Sequence, residues 1–177
     1  MPIKIETATN TKLPSKTHEY LQRLLNSLPR EHLRGIDRIK IVDVIDDPRI
    51  KTRVPTAKLP GLYHPRQGTQ PAWLEISAQT LLPTGAPFYR RLMPRLSFRS
   101  NLAALLFSLV GQHYYLTLRH SVKKTQLETS VRAYTEKHLR AWSAQEHSFR
   151  ARLFKPFQPR FERWAKSLQR RAAQQKK

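Results

Sequence analysis

The sequence predicts an α+β protein: a small antiparallel or mixed sheet packed on two long helices, followed by a basic C-terminal extension. Three observations predict it. Short runs rich in β-branched and aromatic residues fill the first half, separated by Pro- and Gly-bearing turns. Two long stretches with helical spacing fill the second half. Beyond them, aromatic and basic residues mix with prolines and give way to a polar end. Residues 1–145 are expected to form the domain and 146–177 the extension.

The elements follow in order. Ile3 to Glu6 alternates and predicts a short strand. Ser15 to Leu28 predicts a helix, with Ser15 or Thr17 as cap and Tyr20, Leu21, Leu24, Leu25 and Leu28 as the apolar face; Pro29 stops it. Glu31 to Arg34 adds one turn, closed by Gly35. Ile36 to Ile45 is the best strand, ended by Asp46, Asp47 and Pro48. Arg49 to Pro60 reads as an irregular loop. Leu62 to His64 and Ala72 to Ser77 read as two strands around turn material. Pro83 to Pro94, dense in Pro and Arg, reads as a loop. Ser100 to about Leu118 predicts a helix whose apolar first half is buried on most sides. Gly111 inside it costs about 1 kcal/mol relative to Ala, which implies close packing or a retained motif position. Leu127 to about Trp142 predicts the second long helix, with Leu127, Val131, Tyr134 and Trp142 near one face. Ala165 to Lys177 is expected to fray.

Composition narrows the chemistry. There are no cysteines, which removes disulfides, thiolate metal sites and cysteine nucleophiles. The N-terminus lacks the apolar run of a signal peptide, and no apolar stretch approaches the roughly 20 residues a membrane span needs. A cytoplasmic protein with no transmembrane segment is the expectation. The net charge is +21, and it is uneven: residues 1–75 carry 13 basic and 8 acidic side chains, residues 76–177 carry 20 and 4. No carboxylate occurs between Glu75 and Glu128. Such a field concentrates polyanions, so nucleic acid or another polyanion is the expected partner.

One stretch has the frame of a catalytic helix without its chemistry. In the motif H-E-x-x-H, two histidines one turn apart bind zinc and the glutamate activates water. In Leu105 to Tyr115 those three positions read Ser108, Leu109 and Gln112. The run Asn101 to Phe107 leads into the helix, Val110 and Gly111 fill the middle of the motif, and His113 follows it. Glu128, with Val131, Ala133 and Tyr134 after it, stands where a downstream helix would bring a third ligand. From Ile36 to Trp142 the chain resembles the zincin-like metallopeptidases. The resemblance implies a zincin-like fold. It departs from the family where chemistry is done: serine and glutamine are poor zinc ligands, and leucine takes no proton. No catalytic residue, metal or cofactor is therefore expected. The plainer reading is an amphipathic core helix, with Glu128 pairing Arg132 one turn on.

Other sites compete with that reading. His113, His120 and Glu128 are the residues from which a rebuilt metal site would be made. Asp43, Asp46 and Asp47 cluster at a strand end, where a self-bonding turn is the commoner use. His64 reads as a loop histidine without a partner. Basic side chains form two groups. Arg90, Arg91, Arg95 and Arg99 precede the apolar helix, with Arg119, Lys123 and Lys124 beyond its far end. Arg150, Arg152, Lys155, Arg160 and Arg163 interleave with aromatics in the extension. That mixture suits phosphate neutralisation and base stacking, RNA slightly favoured. A membrane-surface segment or a tail wrapped on its own domain shares the composition. The sequence thus reads as a non-catalytic, zincin-like nucleic-acid binder. The alternatives are a hydrolase with a rebuilt site, or an inactive protease domain serving as a protein platform along Ala72 to Ser77.

Overall fold

The structure is a computed structural model that describes residues 3–46, 59–83, 88–118 and 124–154. Within these, side chains are described except at 88–93, 124–125 and 147–154. The fold is α+β, with a mixed four-stranded sheet. Strands β1 (Lys4–Ala8), β2 (Ile36–Val42) and β4 (Ala72–Ser77) are parallel; β3 (Gly61–His64) runs antiparallel to β4 at the edge. The spatial order is β1-β2-β4-β3. The parallel pairing of β1 and β2 needs a crossover, and helix α1 (Thr17–Asn26) supplies it, followed by a 3-10 turn at Arg30–Leu33.

Alternation sets the two faces of the sheet. Ile39 and Ile41 of β2, Leu74 and Ile76 of β4 and Tyr63 of β3 are buried. The core is completed by Tyr20, Leu21, Leu24 and Leu25 of α1, the face the helical spacing foretells. Helix α3 (Phe88–His113) adds Phe98, Leu102, Ala103, Leu106, Phe107, Leu109 and Val110. Its apolar half is buried on most sides, as expected of so continuous a run.

Several boundaries differ from the sequence reading. Helix α3 begins at Phe88, inside the stretch read as a loop, and runs through Pro94. A proline there removes one backbone donor but does not forbid the turn. The α form ends at His113 and gives way to a π turn, Tyr114–Leu118. Strand β2 stops at Val42, because the Asp43 carboxylate accepts bonds from the Thr9 and Thr11 hydroxyls and the Asn10 and Thr11 amides. Those bonds hold Asp43 at about 2, below its ordinary 3.8. The turn read there, in which the Asp side chains close their own backbone, is not what Asp43 makes: its carboxylate ties the end of β2 to the segment after β1, more than thirty residues away. Neither Ser15 nor Thr17 caps α1: Lys16 is its N-cap, in the left-handed region at φ 66°, and the Thr17 hydroxyl donates to the Pro14 carbonyl.

After the short helix α2 (Ala78–Leu81) and α3 comes α4 (Lys124–Phe154). The chain divides into two compact units, 1–139 and 140–177, and the division falls inside α4. Within the first unit, Val131 and Tyr134 of α4 are buried. Within the second, the described part is helical to Phe154. Among the described residues no helix is long and apolar enough to cross a membrane.

Candidate functional site: the groove between α3 and α4

Ser108 and Gln112 are one turn apart on α3, so they share a face. That face meets the first half of α4. Ser108, Gln112 and Glu128 line one groove of about 530 Å³, together with Val131 and Arg132 of α4 and Leu116 of the π turn. The volume lies within the range of small-ligand sites. Leu109, between the two α3 positions, turns the other way. It is buried, and its Cδ1 lies 3.1 Å from where a Cβ on Gly61 would stand. The residue at the general-base position of the resembled motif is thus a core side chain against edge strand β3.

The expected Glu128–Arg132 pair does not form. The Arg132 Nε donates instead to Glu136, at 3.2 Å. Among the described residues Ser108, Gln112 and Glu128 form no hydrogen bond or ion pair with the chain. One hydroxyl, one amide and one carboxylate do not make a zinc site, because only the carboxylate is a ligand of useful strength. Among the described residues no group of three His, Cys, Asp or Glu side chains is placed to hold an ion.

His113 is occupied elsewhere. It is fully buried, and its Nε2–H donates to the Arg34 carbonyl at 2.9 Å. A carbonyl only accepts, so the proton sits on Nε2 and Nδ1 is an acceptor. The Tyr63 hydroxyl therefore donates to Nδ1 at 3.0 Å and accepts from the Thr117 hydroxyl at 3.0 Å. Burial pushes the His113 pKa below its ordinary value, and the Arg34 bond opposes the shift. With both nitrogens engaged, His113 has none to offer a metal; His120 lies outside the described residues.

A second, half-buried polar cluster lies around the buried Tyr134. His32 Nδ1 meets the Tyr134 hydroxyl at 2.9 Å, and the His138 ring lies 4.3 Å from that of Tyr134. Burial lowers the pKa of both histidines and raises that of Tyr134.

His64 is not the partnerless loop residue of the sequence reading. It ends β3, bonds Glu75 at 2.9 Å and stacks on Trp73 at 3.7 Å. The Arg38 guanidinium lies 5.9 Å from the centre of the Trp73 ring. These partners come from neighbouring strands, so no local spacing announces them. Ala72–Ser77 is also not a free edge. It is paired on both sides, by β2 and β3.

No family model matches the chain, and neither a curated protein nor a solved structure does.

The basic groups are placed only in part. Arg95 and Arg99 are exposed on α3, with the Arg99 guanidinium 5.6 Å over the Tyr20 ring. Arg90 and Arg91 lie in α3, and Lys124, Arg150 and Arg152 in α4; their side chains are outside the described set. Arg119, Lys123, Lys155, Arg160 and Arg163 lie outside the described residues.

Proposed function

We propose that this chain is a non-catalytic binding module of zincin-like descent that engages nucleic acid, RNA slightly favoured, through phosphate contacts. The observation that carries the reading is the charge: +21 overall, with no carboxylate from residue 76 to residue 127. A surface of that sign attracts polyanions whatever their sequence. Support for the lost reaction comes from the groove. Its three motif-related side chains carry one ligand-type group between them, and Leu109 is turned into the core. A rebuilt hydrolytic centre around His113 is disfavoured because Tyr63 and Arg34 already use both ring nitrogens.

Fluorescence anisotropy of a labelled single-stranded RNA at low salt tests the proposal. The expected result is a saturable rise, with duplex DNA bound no more tightly. No association with either nucleic acid would remove it.

A further inference from the structure

We infer that the groove between α3 and α4 binds a small organic cation, a protonated amine or guanidinium carried on an apolar stem. The inference is independent of the phosphate-binding reading, since it concerns ligand of the opposite charge at one defined place.

Three features point to it. The first is an uncompensated carboxylate. Arg132 stands one turn from Glu128 on the same helix, yet its guanidinium is turned to Glu136. Glu128 is left with no ion pair among the described residues. The second is the distribution of acid. Residues 76–177 hold only 4 carboxylates, and two of them, Glu128 and Glu136, line this groove. Glu136 is already engaged by Arg132, which leaves Glu128 as the carboxylate open to a ligand. The third is the lining. Ser108 and Gln112 offer a hydroxyl and an amide oxygen with no partner among the described residues. With Glu128 they give an acceptor set that matches the donors of an ammonium group. Leu116, 49% exposed, forms an apolar wall with Leu127 and Val131 that would cover the stem. Among the described lining residues the one positive group an anion finds is Arg132, already held by Glu136.

The test is calorimetric titration of the full chain with phenylbutylamine, with phenylbutyrate and phenylbutanol as matched probes. The amine is expected to saturate one site and to bind about tenfold tighter than the acid or the alcohol, the scale of one charge-assisted contact. Glu128→Gln is expected to weaken amine binding about fivefold or more and to leave the alcohol unchanged. Glu6→Gln, on β1, is expected to change neither. Equal binding of acid and amine, amine binding unaffected by Glu128→Gln, or no saturation in the millimolar range would each overturn the inference.

Discussion

Gly111 of α3 packs directly against the ring of Tyr134 in α4. A Cβ at position 111 would stand 2.9 Å from Cδ1 of the Tyr134 ring. The ring cannot retreat cheaply: it is buried, bonded to His32 and stacked near Tyr114. The close approach accounts for a glycine in an otherwise strong helix. Gly111→Ala gains about 1 kcal/mol of helix propensity but is opposed by about 1–3 kcal/mol of overpacking. The net expectation is a loss of roughly 1 kcal/mol, larger for Gly111→Val, read as a lowered midpoint in urea unfolding. A raised midpoint for Gly111→Ala would show that the helices part freely.

Tyr63→Phe keeps the ring and removes the hydroxyl. It removes the shorter bond to the buried His113 Nδ1 and leaves that nitrogen the Thr117 hydroxyl, 3.5 Å away, as its donor. The expected cost is about 1 kcal/mol, the net value of a lost buried hydrogen bond whose acceptor keeps a longer one. Urea unfolding reads it directly, and an unchanged midpoint would mean that the Thr117 hydroxyl takes over the tyrosine's place on Nδ1.

Acidification acts through three histidines. Burial is the largest cause of a lowered pKa in His32, His113 and His138 alike. Lys137 adds to the shift at His32 and His138, the His32 ring adds to it at His138, and Glu31 opposes it at His32. The unfolded chain takes up these protons first, near the ordinary 6.5, and the native state only at lower pH. Stability is therefore full above about 6.5 and falls as pH drops through the window below it. Thermal midpoints from about pH 7.5 to about pH 5 are expected to decline, with a shallower slope for His138→Gln. The Asp43 contribution persists through that window. It is lost only as pH falls from 3.8 toward about 2. A flat midpoint across the histidine window would contradict the buried arrangement.

Placing histidines in the groove tests the geometry behind the proposed zincin-like descent. Ser108, Gln112 and Glu128 line one space, so Ser108→His with Gln112→His creates two histidines one turn apart facing a carboxylate. The double variant is expected to bind about one zinc per chain, and adding Glu128→Ala to weaken that binding about tenfold or more. Metal analysis after dialysis, with a chromophoric chelator in competition, gives both numbers. Equal affinity with and without Glu128 would show that the carboxylate does not reach the pair.

Local pattern carried much of the fold. The spacing of Tyr20, Leu21, Leu24 and Leu25 marks α1, and the β-branched run from Ile36 marks β2, because each element has one buried face. The start of α3 was hidden by Pro94, whose cost in one turn is outweighed by the apolar run that follows. Long-range partners left no local trace. His113 meets Tyr63 fifty positions away and Arg34 seventy-nine away. In the groove, the shared face of Ser108 and Gln112 is readable from their four-residue spacing. The turning of Arg132 from Glu128 to Glu136 is not, since both acids lie four residues from it.

The salt dependence of RNA binding tests the proposed function most directly. If about six phosphates are neutralised, affinity for single-stranded RNA should fall by two orders of magnitude or more between roughly 50 and 200 mM salt, with log affinity linear in log salt. An affinity that holds constant across that range, or no measurable binding at its lower end, would contradict a phosphate-directed role.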